Sequence, residues 1–252
     1  MRIALDAMGT DHAPSAEVTG AIGALQEQDP EMEVVLVGDR DTIEAELEKH
    51  PDAPRAHLHV HHASERITAE DPPALVLRRK PDSSIAVGLK LQQAGEADAF
   101  VSAGSTGAVM ATSLFTLRPL PGVARPAIGT LLPTAKDSCL MLDAGANVDC
   151  KPHHLVQFAH LGHIYAQDLM GRENPRVGLL NIGEEPGKGD ELTVATYGLL
   201  DGDARLNFVG NVEGRDLIRG VCDVVVCDGF VGNVLLKFYE SVAEFIIGLL
   251  RR

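Results

Sequence analysis

Leu179–Leu192 reads LLNIGEEPGKGDEL. A short apolar run ends in Asn181-Ile182-Gly183. An acidic, glycine-rich loop follows with Lys188 between Gly187 and Gly189, and a helix pattern starts near Asp190. Strand, glycine loop, lysine and helix form a recurring way of holding a phosphoryl group. Glycines let backbone N–H groups approach closely, and a helix N-terminus favours an anion. The spacing is not that of a Walker A loop, because no glycine lies five residues before a Gly-Lys-Ser/Thr. A surface turn with a solvated lysine is the competing reading, and this stretch does not choose between the two.

Working outward, short β-branched-rich apolar runs alternate with helix patterns. Strands are expected at Ile3–Leu5, Glu33–Val37, Leu58–His62, Ala97–Val101, Ala127–Leu132, Ser138–Leu142, Val177–Ile182, Leu206–Val209 and Val221–Cys227. Helices are expected at Ser15–Gln28, Asp41–Lys49, Ser84–Ala94, after Gly107, at His153–Met170, from Asp190, and from Asp228–Asn233 to the end. Pro14 suits a first helical turn. This alternation predicts an α/β fold with a mostly parallel sheet between two helical layers. No linker or internal repeat divides the chain, so 1–252 is read as one catalytic domain, with Arg118–Pro126 as a loop. Asp6–His12, Ser102–Gly107, Asp143–Asn147, Gly183–Asp190 and Asp228–Asn233 all follow strands. In open α/β sheets ligands bind at the carboxyl ends of strands, so these five loops are expected to converge on one cleft.

Bulk properties narrow the function. A 252-residue chain with 45% hydrophobic and 23% charged residues can bury a sizeable core. A net charge of −14 argues against general nucleic-acid binding. Cys139, Cys150, Cys222 and Cys227 form no CxxC pair and read as reduced, small apolar residues of a cytoplasmic protein. No signal peptide and no apolar run long enough to span a membrane is visible.

The motifs DAMGTDHAP, SAGSTGA, LDAGANVDCKP, LLNIGEEPGKGDEL, FVGNVEGRDL and CDGFVGNVLLK occur in this order between Leu5 and Lys237. Together they resemble the bacterial PlsX family of phosphate acyltransferases. The resemblance implies transfer of a fatty acyl group from acyl-[acyl carrier protein] to inorganic phosphate, giving acyl-phosphate for phospholipid synthesis. It also implies a fold like that of phosphotransacetylases and isocitrate/isopropylmalate dehydrogenases, a homodimer, and peripheral association with the membrane. The sequence departs from the family pattern at Thr10, Ser105, Glu184-Glu185-Pro186 and Asp190. Family members continue beyond the position of Arg252, so the chain is read as lacking their C-terminal segment.

In the implied reaction phosphate is the nucleophile, so no enzyme Ser or Cys need be acylated. The site must place an anion, stabilise an oxyanion and release a thiolate. Lys188, Asp228 and Asn233 are the implied catalytic set. Lys188 supplies a point charge among the Gly187 and Gly189 N–H groups. Asn233 donates to an oxyanion or to phosphate, and Asp228 orients Lys188 or takes a proton from phosphate. A turn at Asp228 and a helix cap at Asn233 are the competing readings. Gly104, Ser105, Thr106 and Gly107 are candidate phosphate ligands or a small-residue N-cap. Asp6, His12, Asn147 and Lys151 are candidate lining. Neither a metal nor a nicotinamide is needed, and no G-x-G-x-x-G follows the first strand.

Three features remain. His57, His59, His61 and His62 read as a solvated strand face rather than a metal site. Arg78-Arg79-Lys80 is a basic run in an acidic chain, suited to docking an acidic carrier protein. Val231–Leu250 carries a wide apolar stripe with Arg251-Arg252 behind it; core or dimer packing is the first expectation and membrane contact the second. The alternatives to the implied reaction are a phosphotransacetylase-like enzyme using acyl-CoA and a non-catalytic acyl-carrier or membrane-binding scaffold.

Overall fold

A computed structural model describes residues 1–27, 31–68 and 70–251. Gln28, the expected end of the first helix, and Arg252 lie outside the described residues. The chain was read as one domain; its backbone clusters into two compact units, Met1–Arg118 and Pro119–Arg252, and each is described by itself.

The first unit is built on β1 (Arg2–Asp6), β2 (Glu33–Gly38), β3 (Leu58–His62) and β4 (Ala99–Val101), all parallel in the order β3-β2-β1-β4. Its helices are α1 (Ser15–Glu27), α2 (Arg40–Leu47), α3 (Val76–Arg79), α4 (Ser84–Gln93) and α5 (Thr106–Thr116). The two-residue period of β2 explains the layering. Val34 and Leu36 pack with Val18, Ile22, Ile43 and Leu47 of α1 and α2. Val35 and Val37 point the other way, to Val87 and Leu91 of α4. A strand buried on both faces needs helices on both, as the continuous apolar run EVVLV anticipates. Ser83 caps α4 by accepting from the Ala86 N–H. Pro14 follows a cis peptide bond and precedes α1 rather than opening it. The Pro73–Leu75 turn and α3 were not anticipated.

The second unit contains β5 (Gly129–Pro133), β6 (Ser138–Leu142), β7 (Arg176–Leu180), β8 (Asn207–Val212) and β9 (Val224–Val226) in the order β5-β6-β9-β7-β8. All pairs are parallel except the edge pair β5–β6. Its helices are α6 (Pro152–Asp168), α7 (Glu191–Asp201), α8 (Gly214–Arg219) and α9 (Gly229–Leu250). Leu140, Leu142, Val177, Leu179, Val224 and Val226 meet Leu155 and Phe158 of α6 and Leu200 of α7. Cys139, Met141, Val225 and Cys227 face the opposite layer, with Leu217 of α8 and the half-buried Leu235, Leu236 and Tyr239 of α9. Cys139 and Cys222 are buried thiols with their sulfurs 3.8 Å apart. The Cys222 thiol beside it, together with burial, pushes the Cys139 thiol far above its ordinary value. Short α8 inside FVGNVEGRDL was not anticipated, and β8 runs to Val212 rather than Val209.

The last helix meets the core with only part of its apolar stripe. Only Gly229 and Gly232 of α9 are buried. Of the stripe expected to pack into a core or a dimer, Leu235 packs against the core, while Val234, Phe238, Phe245, Ile246 and Leu249 are exposed on this chain. No helix among the described residues is long and apolar enough to cross a membrane.

Candidate active site

In the first unit, the loops after β1 and β4 are tied together at Asp6. Its carboxylate is almost fully buried. Oδ1 accepts from the Met8 N–H at 3.0 Å and Oδ2 from the Ser102 hydroxyl at 2.7 Å. The same hydroxyl accepts from the Gly104 N–H at 3.0 Å. Gly9 is required here, because a Cβ on it would lie 2.8 Å from the Gly104 nitrogen. Asp6 therefore organises these loops from beneath instead of presenting its carboxylate to a ligand. Ser105 caps α5, accepting from the Ala108 N–H at 3.4 Å, and Thr106 and Gly107 are exposed in its first turn. His12 is exposed on the first loop.

In the second unit, Asp143 at the end of β6 is fully buried and gathers five hydrogen bonds. Oδ1 accepts from the N–H groups of Ile128, Gly145 and Ala146 at 2.9, 3.3 and 3.1 Å. Oδ2 accepts from Asn147 N–H at 2.7 Å and from its side-chain Nδ2 at 2.8 Å. The remaining Asn147 amide hydrogen goes to the Pro126 carbonyl at 2.8 Å. Asn147, expected to line the site, thus spends its donors on the protein. Its carbonyl accepts from the Gly229 N–H at 2.8 Å, which seats α9 on this loop. Lys151 precedes α6, and its backbone N–H donates to His154 Nδ1 at 3.1 Å.

Asp228 is the N-cap of α9: Oδ1 accepts from the Phe230 and Val231 N–H groups at 2.9 and 3.0 Å. Among the described residues no ion pair joins it to Lys188, and its Oδ2 takes no part in the cap. Asn233 lies inside α9 and is no cap. It is exposed and borders the Asp143 loop, since a Cβ on Gly145 would be 3.5 Å from the Asn233 Cβ.

The Gly183–Asp190 loop is held from both ends. Asn181 Nδ2 donates to the Lys188 carbonyl at 2.9 Å, and Asn211 Nδ2 donates to the Glu185 carbonyl at 2.8 Å. Gly189 has φ +95°, and a side chain there would strike Thr193 Oγ1 and Asn181 Oδ1. Asp190 caps α7, accepting from Thr193 N–H at 2.8 Å and Thr193 Oγ1 at 2.9 Å. Glu184 pairs with Arg215 at 3.6 Å. Among the described residues Lys188 makes no ion pair; Glu184 pairs with Arg215 and Asp190 caps α7, while the Glu185 carboxylate and the Lys188 side chain both lie against Gly183. Gly187 is exposed.

Within the second unit, the β7–α7 loop, the start of α9 and Leu155 of α6 border a cavity of about 450 Å³. Asn181, Gly189, Asp190 and Thr193 line it from the β7–α7 side, and Cys227, Asp228 and Val231 from the β9–α9 side. Lys188 stands next to this lining. The N-termini of α7 and α9, two helices of 11 and 22 residues, both open on it, which favours negative charge in the ligand. Their cap carboxylates oppose such a ligand, so a nearby cation is needed. Asn181, Thr193 and Asp143 were not among the expected site residues. Asp190 followed three residues later by Thr193 is a legible capping pattern, and a strand ending in Asp before Ala-Gly-Ala-Asn is a legible Asx turn.

The basic run divides. Lys80 Nζ pairs with Asp71 at 2.6 Å and donates to the Arg66 carbonyl at 2.7 Å, so it serves the local fold. Arg78 and Arg79 are exposed. On β3, His59 lies 3.4 Å from Glu33 and His62 Nδ1 accepts from the Arg40 N–H at 3.2 Å.

The sequence matches the family model described as "Fatty acid synthesis protein" over residues 1–252. It is 50% identical over 245 residues to a phosphate acyltransferase of Salinibacter ruber, covering 97% of this chain and 72% of that protein. It is 52% identical over 252 residues to a phosphate acyltransferase of Desulforamulus reducens, covering 100% of this chain and 74% of that one. Among solved structures it resembles the EutD phosphotransacetylase of Staphylococcus aureus, with a TM-score of 0.67 and 18% identity over 97% of this chain and 82% of the other. A branched-chain phosphotransacylase of Enterococcus faecalis gives 0.58 and 14%, over 94% and 83%. The two structural likenesses bear out the α/β fold expected for this chain. With about half of its residues shared with such relatives along nearly its whole length, the chain belongs to the phosphate acyltransferase family.

Proposed function

We propose that this acyltransferase moves a fatty acyl group from the thioester of acyl-[acyl carrier protein] to inorganic phosphate. A phosphate oxygen attacks the thioester carbonyl, the tetrahedral oxyanion collapses, and the carbon–sulfur bond breaks. Acyl-phosphate and a thiolate leave, and the thiolate takes up a proton. The observation that carries this reading is the cavity shared by the β7–α7 loop and the start of α9, with Lys188 beside it and in no ion pair among the described residues. Lys188 balances the charge of phosphate against the two cap carboxylates. Asn233 donates to the developing oxyanion, and the free Oδ2 of Asp228 is the proton acceptor in this scheme. Taken within the first unit alone, Gly104, Ser105, Thr106 and Gly107 stay a candidate phosphate-binding set at the start of α5, where Ser105 is the cap.

Arg78 and Arg79 are proposed to receive the acidic carrier protein. Charge reversal at both should raise KM for the carrier-protein donor, and an unchanged KM would remove the assignment. The outer part of the α9 stripe is proposed to pair two copies, with membrane contact the second reading. Mass measurement in solution with and without Phe245→Asp separates paired from single chains. A cytoplasmic location accompanies this scheme.

The central test is formation of acyl-phosphate from added phosphate, run with carrier-protein and coenzyme A donors. Dependence on phosphate with the carrier-protein donor preferred is expected, together with about a hundredfold loss in Lys188→Ala. Full activity in that variant would overturn the role of the lysine, and preference for the coenzyme A donor would favour the phosphotransacetylase-like reading.

A further inference from the structure

A second cavity, of about 350 Å³, adjoins the first and is lined only by apolar side chains: Leu180, Phe230, Val231, Val234, Leu235 and Phe238. Leu180 and Val231 line both. Leu180 ends β7 and leads directly into Asn181. Val231 lies in the first turn of α9, capped by Asp228. The first cavity, which carries the cap carboxylates, and the wholly apolar groove therefore share a wall at the point where the two loops of the site meet.

We infer that this groove, from Leu180 to Phe238, seats the acyl chain of the substrate and sets chain-length preference. The inference rests on the reaction proposed above. That reaction joins a charged nucleophile to a carbonyl carbon bearing a hydrocarbon tail. The first cavity has apolar walls at Leu155, Leu180, Ile182 and Val231, but a tail laid against its polar side, Asp190, Asp228, Asn181 and Thr193, would strip those groups of water. The tail requires an apolar surface starting at the reacting centre, and the groove provides one. Phe230, Val234 and Phe238 are 61%, 56% and 65% exposed, a row of large apolar groups that the rest of this chain leaves uncovered. They recur at spacings of four along α9, so they form one continuous face. The groove belongs to the inner part of the helix, distinct from the outer stripe around Phe245–Leu250.

Chain-length selectivity tests this assignment. Each methylene withdrawn from water is worth about fourfold in binding. Val234→Trp fills the groove and Phe238→Asp makes it polar. Both positions are exposed, so both variants should fold. In each, the ratio of kcat/KM for a palmitoyl donor to that for a butyryl donor should fall by at least about tenfold. Phe245→Asp, on the same helix outside the groove, should leave that ratio as in the parent. An unchanged ratio in both groove variants overturns the inference while the reaction itself stands. If no donor gives acyl-phosphate, the reaction proposed above fails separately, and a diazirine-bearing fatty acyl thioester still reads the tail's position. Photolabel on Phe230–Phe238 supports the groove, and label confined to other segments overturns it.

Discussion

Gly232 lies so close to the carbonyl oxygen of Asp143 that a Cβ on it would overlap that oxygen. The contact joins the first turns of α9 to the loop after β6, and a neighbouring glycine repeats it: a Cβ on Gly229 would fall 2.7 Å from the Asn147 nitrogen and 2.9 Å from its carbonyl oxygen. Asp228 and Asn233, on the same helix, take their positions from this seat.

Gly232→Ala should therefore act as an overpacking change at a backbone contact. A loss of about 3 kcal/mol in folding stability is expected, read as a shifted denaturant midpoint. Gly187→Ala is the comparison, since nothing lies near that position. Equal midpoints for the two variants would refute the close approach.

Asn147→Ala removes two hydrogen bonds, to the Pro126 carbonyl and to Asp143 Oδ2. The expected cost is about 2 kcal/mol of stability. If the residue only shapes the loop, KM for phosphate should change less than kcat. A selective rise in phosphate KM would return Asn147 to the list of ligands.

Asp228 has a capping oxygen and a second oxygen proposed to take a proton, and two substitutions separate these roles. Asn retains the cap, so Asp228→Asn should keep stability within a few tenths of a kcal/mol, whereas Asp228→Ala should lose about 1 kcal/mol. Activity should fall in both. Undiminished turnover in Asp228→Asn would leave the residue as a cap alone.

Asp71 carries a pH signature. The Lys80 ammonium, with the Thr68 N–H, holds its carboxyl down at about 2. The folded value lies below the unfolded one of about 3.9. The contribution to stability is thus fully present above about 3.9 and is lost as pH falls through the folded value. The gap in Tm between the parent and Asp71→Asn should be constant near neutrality and close toward about pH 2. A gap independent of pH would show that the charge contributes nothing.

The sequence determined the long elements and the loops that follow the strands, though not the short helical pieces at Pro73–Leu75, Val76–Arg79 and Gly214–Arg219. EVVLV reads as a doubly buried strand because alternate residues face opposite layers, and Val34 with Leu36 and Val35 with Val37 do so. Leu58–His62 and Ser138–Leu142 have the ends expected from their composition. These are local regularities, written within a few residues. The motifs were legible for the same reason, as glycine and acidic residues at the ends of strands.

What only the tertiary structure decided is which polar groups remain available. Asp6 and Ser102 are 96 positions apart, and their hydrogen bond turns a candidate ligand into a support. Asn147 spends its donors on Pro126 and Asp143, while Asp190 caps α7 and Glu184 meets Arg215 instead of pairing with Lys188. The stripe on α9 likewise announces an apolar face without saying what covers it. Periodicity depends on neighbours along the chain, whereas hydrogen-bond satisfaction and burial depend on groups brought together from distant positions, and those pairings exist only once the chain has folded.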